Sequence, residues 1–185
     1  MARLLVLLAI LAGAAWWWTH RGIEAGRVDA FYDAQIAAFK AGDPKRLCDQ
    51  YADDYRAHEH QISVYGAQDA DADKKQSCDA IAALFDFKKK FEAAAPAGSI
   101  LGTTLNVDFT DVRIASNGKS ADVHLKVYMN FGNALETHSE GTEHLVLRRG
   151  RLLSGGSDMV THAEGRLVGV SDPASMAPAL ARLVH

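Results

Sequence analysis

Cysteine and proline are scarce in this chain, and an excess of positive charge is missing. Two cysteines and four prolines stand among 185 residues. The cysteines form no Cys-x-x-Cys pair, and their spacing and neighbours fit no zinc site, which excludes a thioredoxin-type redox motif and a zinc module. No glycine-rich phosphate loop and no Gly-x-Ser-x-Gly elbow occurs, so the common nucleotide cradles and the α/β-hydrolase nucleophile have no counterpart. A net charge of −3 and a pI near 6.2 argue against nucleic acid as a partner, because phosphate binding needs clustered cations. The one basic run, Lys88-Lys89-Lys90, sits in a helical pattern and reads as a solvated face. There is no internal repeat, no linker rich in Pro, Gly or Ser, and no second long apolar stretch after the first.

That first stretch opens the chain. Arg3 precedes an uncharged run over residues 4–18 that ends in Trp16, Trp17 and Trp18. A basic start, an apolar core and the small residues Ala12-Gly13-Ala14 meet the needs of a secretory signal. Three tryptophans at one end match an aromatic belt at the headgroup level. They favour a retained anchor, extended by Ala2 and Thr19, over a cleaved leader. The expectation is a single-pass protein of the inner (cytoplasmic) membrane whose domain faces the periplasm or cell exterior; signal cleavage, giving a secreted or periplasmic protein, is the alternative. Residues 1–20 form this segment, residues 21–165 one domain, and residues 166–185 an extension in which Asp172-Pro173 opens a short helix.

An exported chain allows Cys48 and Cys78 to pair, because oxidising compartments let disulfides persist. Closing a loop of about thirty residues stabilises a fold by roughly 3–4 kcal/mol in the chain-entropy model. Two buried free thiols are the alternative.

Helical spacing runs over residues 23–41, with Val28, Phe31, Tyr32, Gln35, Ile36 and Phe39 near one face. Gly42 stops it. Asp43 then caps a second helix with Pro44 at its first position and Leu47, Cys48, Tyr51 and Tyr55 as its inner stripe. Residues 56–65 alternate as a strand that puts His58, His60, Ile62 and Val64 on one face. Residues 66–73 read as an acidic loop, and Asp73 with Gln76 makes a capping box for a third helix. Cys78, Ile81, Leu84, Phe85, the Lys88 stem and Phe91 are its buried positions, so both cysteines fall on helix stripes.

The remainder reads as antiparallel sheet. Leu105, Val107 and Phe109 alternate, and the phase shifts after Thr110-Asp111, which predicts a bulge. Asn117-Gly118 is a hairpin signal. Val123, Leu125, Val127, Met129 and Phe131 face one way, and Asp122, His124, Lys126, Tyr128 and Asn130 the other. Strands at 137–148 and 151–162 join at Arg149-Gly150, and Gly155-Gly156 marks a bend or bulge.

The segment Phe39-Lys-Ala-Gly-Asp-Pro-Lys-Arg-Leu47, followed by Tyr51-Ala-Asp-Asp-Tyr-Arg-Ala-His58 and then by this order of elements, resembles the nuclear-transport-factor-2-like superfamily. That is the cone-shaped fold shared with ketosteroid isomerase, scytalone dehydratase and SnoaL-like cyclases. The resemblance spans about residues 21–162. It implies an α+β fold in which a curved antiparallel sheet wraps about three helices and leaves an apolar pocket at the open end, here preceded by one N-terminal hydrophobic helix. It also implies that the helix tyrosines Tyr32, Tyr51 and Tyr55 reach that pocket. The superfamily holds enzymes, ligand binders and assembly domains, so the fold alone assigns no function.

His58-Glu59-His60 is the most chemical local feature. A strand sets the two imidazoles about 7 Å apart on one face. Beside an apolar cavity either could act as a general base. A metal would need a third ligand, for which His138, His144, His162 and Asp158 are the nearest in type, and no metal site is assigned. Asp108 belongs on a polar face, and the Asp–His pair often used by SnoaL-like cyclases has no placement here, which turns the reading away from an enzyme. Asp69, Asp71 and Asp73 lack the glycine and late glutamate of a calcium loop.

The expectation is therefore a membrane-anchored accessory or small-ligand-binding domain, without cofactor, in which Tyr32, Tyr51, His58 and His60 surround a small apolar ligand. One alternative is an isomerase, dehydratase or cyclase with His58 or His60 as base and Tyr55 orienting a carbonyl. Another is an assembly module that meets a second copy or a membrane-complex partner through its sheet.

Overall fold

Val28, Phe31, Tyr32, Ala38 and Phe39 recur at helical spacing and form the buried stripe of helix α1, Ala25–Lys40. The computed structural model describes residues 9–11, 13, 22–63, 66–94, 103–131 and 135–164. Asp43 caps the short helix α2, Pro44–Cys48, by accepting from the Arg46 amide at 2.9 Å. Strands β1 (Tyr51–Ser63) and β2 (Gly66–Asp73) follow, then helix α3 (Lys74–Ala94). The reciprocal Asp73–Gln76 capping box forms as expected, each side chain accepting from the other's amide at 2.9 Å. Four long strands complete the domain: β3 (Thr103–Ile114), β4 (Ser120–Phe131), β5 (Leu135–Arg148) and β6 (Arg151–Glu164).

The six strands make one open sheet in the order β2-β1-β6-β5-β4-β3. Its inner face takes α1: Ile23, Val28, Phe31 and Tyr32 pack with Ala121, Val123, Leu125 and Leu145 in the main core. Two turns hold the start of α1. The Ile23 amide donates to the Gly118 carbonyl at 2.8 Å, and Arg27 donates to the Gly150 carbonyl at 2.6 Å. The Arg149-Gly150 turn has positive φ at both residues, 50° and 78°, as a two-residue hairpin loop between right-twisted strands requires. Register shifts lie between Phe109 and Asp111 and opposite Gly155, at the two bulges the sequence predicts. Cys48 and Cys78 form a disulfide, with 5.5 Å between their Cα atoms, that ties α2 to α3.

Four expectations are corrected. Residues 66–73 are not a loop; they are the edge strand β2, paired antiparallel with β1 from Ser63↔Gly66 to Arg56↔Asp73. Its alanines and aspartates have weak strand propensity, and cross-strand pairing overrides it. Tyr51 and Tyr55 leave the helix stripe, because α2 ends at Cys48 and both stand on β1. A spacing of four satisfies a period of two as well as it satisfies a helix, so the stripe was ambiguous. The sheet is not wholly antiparallel: β1 runs parallel to β6, from Arg56↔Gly156 to Ser63↔Ala163. Gly156 allows that approach, since a Cβ there would stand 2.5 Å from the Arg56 carbonyl oxygen.

The fourth correction concerns the membrane. Among the described residues no helix is long and apolar enough to cross one, which overturns the single-pass inner-membrane placement. The longest, α3, has 21 residues but carries Lys75, Asp79, Asp86, Lys88, Lys89 and Lys90. Apart from residues 9–11 and 13, the apolar segment at 4–18 lies outside the described residues, as do the small-residue cleavage site's Ala12 and Ala14 and the whole 166–185 extension.

Candidate functional site

The inner face of the sheet is not filled everywhere. Where β2, β1 and β6 meet the first half of α3, Ala57, Ala70, Ala72 and Ala80 supply only methyl groups, and a cavity of about 290 Å³ remains. Tyr51 and Tyr55 form one wall, their rings stacked with centroids 4.2 Å apart and planes 4° from parallel. Ser157 on β6 shares a hydrogen bond with the Tyr55 hydroxyl at 3.1 Å. Glu59 also lines the cavity, and its Oε1 accepts from the Thr161 hydroxyl, which is 2.8 Å from the Ser139 hydroxyl on β5. Val127 and Met159 provide apolar surface. Burial pushes both tyrosine hydroxyls above their ordinary range, so they stay neutral donors at any physiological pH. The charge of Glu59 is close enough to act on Tyr55.

Of the residues singled out in the sequence, Tyr51 and Tyr55 come together here and the others do not. His58 and His60 alternate with Ala57 and Glu59, and their imidazoles lie on the opposite face of the sheet. His58 Nδ1 pairs with Asp71 Oδ1 at 2.8 Å, and His60 Nδ1 with Asp69 Oδ1 at 2.5 Å, both at exposed positions across the β1–β2 ladder. The Asp71 hydrogen bond holds the His58 imidazole above its usual range. The apolar neighbours Ile62 and Val64 had favoured the wrong face; Ile62 is only partly buried, and Val64 lies outside the described residues. Glu59, the middle of the His-Glu-His run, is the lining residue that the strand pattern alone does not single out. The signal that could have found it is the small-residue phase, Ala57 with Ala70 and Ala72, which leaves room on one side of the hairpin.

Tyr32 lies in the core and not at the cavity. Its hydroxyl donates to Glu143 Oε2 at 2.8 Å, and its ring stacks on Phe109 at 5.0 Å. Burial, then the Glu143 charge, drives the Tyr32 hydroxyl far above its normal range. Burial likewise raises the Glu143 carboxyl, against the opposing pull of its hydroxyl neighbours. The Ser154 hydroxyl, buried and without an aligned partner, faces the same carboxylate.

The outer face collects histidine–carboxylate pairs. His144 meets Asp122 at 2.6 Å through Nδ1 and Asp158 at 3.3 Å through Nε2. With carboxylates on both ring nitrogens the imidazolium is the favoured form, and its affinity for the second proton is raised, chiefly by the Asp122 bond. His124 pairs with Glu140 and His138 with Glu136. Among the described residues no group of three or more His, Cys, Asp or Glu is arranged to hold a metal ion.

No protein-family model matches the chain, and no curated protein does. Solved structures do match. A protein from Novosphingobium aromaticivorans, provisionally assigned as a scytalone dehydratase, is 9% identical over 80% of this chain and 90% of its own, with a TM-score of 0.52. An NTF-2 like protein of unknown function from Shewanella oneidensis is 12% identical over 75% of this chain and 99% of its own, at a TM-score of 0.49. A ketosteroid isomerase-like protein from Erwinia carotovora atroseptica is 11% identical over 74% of this chain and 94% of its own, at 0.43. At these identities the likeness is one of fold.

Proposed function

From the nuclear-transport-factor-2-like fold of this chain, we propose that the domain binds a small ligand in the cavity beside α3, held by Tyr51, Tyr55 and Glu59. The convergence of these groups carries the reading. A stacked aromatic pair, one carboxylate and the hydroxyls of Ser157 and Thr161 aim at one space of about 290 Å³, and a mostly apolar wall with a few placed polar groups is the general form of a ligand site. The volume sits at the lower end of the range such sites occupy, so the ligand is compact. A fragment screen by ligand-observed saturation-transfer NMR tests this. Hits are expected with the native chain and not with Ala80→Phe or Ala72→Leu, two independent ways of filling the cavity. Equal binding to folded forms of both variants would locate the ligand elsewhere.

A second reading uses the same space for proton transfer, favoured by the presence of Glu59 and Tyr55 on one cavity wall. Tyr55 would donate to a carbonyl oxygen while Glu59 takes the neighbouring carbon-bound proton. His58 and His60, on the other face, would take no part. Incorporation of solvent deuterium into a bound ketone, lost in Glu59→Gln and kept in His58→Gln and His60→Gln, would support this over simple binding.

A further inference from the structure

The charge and surface of the cavity say more about its occupant than its size does. Among the described residues that line it, Glu59 is the one that carries a formal charge, and no Lys, Arg or His is present. Its Oε1 accepts from Thr161. A carboxylate offers two oxygens and roughly four lone-pair sites, so one hydroxyl leaves it able to serve a ligand. The nearest aromatic surface is the stacked Tyr51–Tyr55 pair, whose negative ring faces attract cations. The remaining polar side chains are hydroxyls, which turn an oxygen lone pair as readily as a proton towards a ligand, and the uncharged Gln76 amide, whose oxygen accepts from the Asp73 amide. Glu143 on β5, the ladder partner of Ser157, is a second acid near both tyrosines and brings no positive charge to the site. An anion entering this space would meet acid and ring faces with no counter-charge. A neutral apolar molecule would leave the Glu59 charge desolvated with only the Thr161 hydroxyl to offset it, which costs free energy.

We infer that the cavity selects a compact organic cation, a substituted ammonium, seated against the Tyr51–Tyr55 pair with Glu59 as its counter-ion. This rests on the small-ligand reading above and narrows it to a chemical class. Three features contribute separately. The carboxylate sets the sign of the charge. The rings favour a soft, alkylated ammonium over a strongly hydrated metal ion. The alanine floor made by Ala57, Ala70, Ala72 and Ala80 accepts its methyl groups.

Choline and 3,3-dimethylbutan-1-ol test this directly, because they share one shape and differ by a nitrogen-for-carbon exchange that removes the charge. 3,3-Dimethylbutanoate supplies the anion. All three are titrated into the full-length chain at low ionic strength and followed by saturation-transfer NMR. Choline is expected to bind at least tenfold more tightly than the alcohol, with no saturation of the anion. Glu59→Gln, which keeps an acceptor for Thr161, should remove that preference, and Glu59→Asp should retain it. Equal or tighter binding of the alcohol, or a preference that survives in Glu59→Gln, overturns the cation inference and leaves the ligand-binding reading standing. Failure of choline to bind while neutral library fragments do has the same consequence. If neither these probes nor any fragment binds, both readings fall together.

Discussion

The Tyr32 hydroxyl on α1 donates to Glu143 Oε2 on β5 at 2.8 Å, inside a core where both side chains are buried. This bond fastens the central helix to the middle of the sheet, and its two ends are not equivalent. Tyr32 fills volume and stacks on Phe109, whereas Glu143 is an acid that burial discourages from ionising.

Tyr32→Phe should therefore destabilise the domain by about 1–3 kcal/mol, because it strands a buried acceptor while keeping the ring. Glu143→Gln keeps an acceptor and removes the charge. The folded Glu143 carboxyl titrates above its unfolded value, so the folded state holds the proton more tightly. Stability then falls as pH rises from the unfolded value through the folded one. Relative to the native chain, Glu143→Gln should gain stability between pH 4 and pH 7. Urea denaturation at both values gives the sign, and a variant that loses stability on that rise would show the carboxylate to be net favourable.

The outer-face histidines give a pH dependence of their own. His58 faces Asp71, Asp69 and Asp158, and His144 faces Asp122 and Asp158. Both imidazoles titrate above their ordinary value in the fold, so the stability they add is complete below the unfolded imidazole value near 6.5 and is lost as pH rises through the folded values. Imidazole proton shifts followed by NMR should place both midpoints above that of a free histidine. Midpoints at or below it would mean that the carboxylate pairs do not persist in water.

The Cys48–Cys78 bond closes a separation of 30 residues that runs from the last residue of α2 through the β1–β2 hairpin to the start of α3. Its removal by Cys48→Ser with Cys78→Ser should cost roughly 3–4 kcal/mol in the chain-entropy picture. Thiol labelling of the unfolded, unreduced chain should find no free cysteine. Two labelled thiols would exclude the bond, and an unchanged urea midpoint in the double variant would remove its stabilising role.

Gly156→Ala places a methyl group 2.5 Å from the Arg56 carbonyl oxygen at the parallel β1–β6 pairing. Overpacking of this kind costs about 1–3 kcal/mol. Amide hydrogen exchange should report the loss first along β1, because that strand must move away. Protection there equal to the native pattern would show that the strands can part without cost.

Local signals were legible where chemistry is local. The Asp43 and Asp73–Gln76 caps, the Asn117-Gly118 and Arg149-Gly150 turns, the bulges near Thr110 and Gly155, and the alternation of β4 all depend on residues within a few positions of one another. What was not legible depends on distant partners. The edge strand β2 exists because Gly66–Asp73 finds β1, and no residue in it carries a strand preference strong enough to announce that. The parallel β1–β6 pair joins segments a hundred residues apart, and nothing in either encodes direction. The candidate site shows the same division. Tyr51 and Tyr55 were legible as inward-facing neighbours on one stripe, although on the wrong element. The His-Glu-His alternation was legible too, but which face met the interior was decided by the alanines of β2 and α3, and that placed Glu59 inside and both histidines outside.

Everything proposed for the site requires the ligand to sit on the inner face beside α3. Backbone amide shifts of an isotope-labelled chain, recorded during titration with choline or the tightest fragment, test it most directly. Changes are expected to concentrate at Tyr51, Tyr55, Glu59, Ser157 and Thr161, with those at His58, His60 and His144 smaller. Changes centred on those outer-face histidines, with the Tyr51–Glu59 amides still, would contradict it.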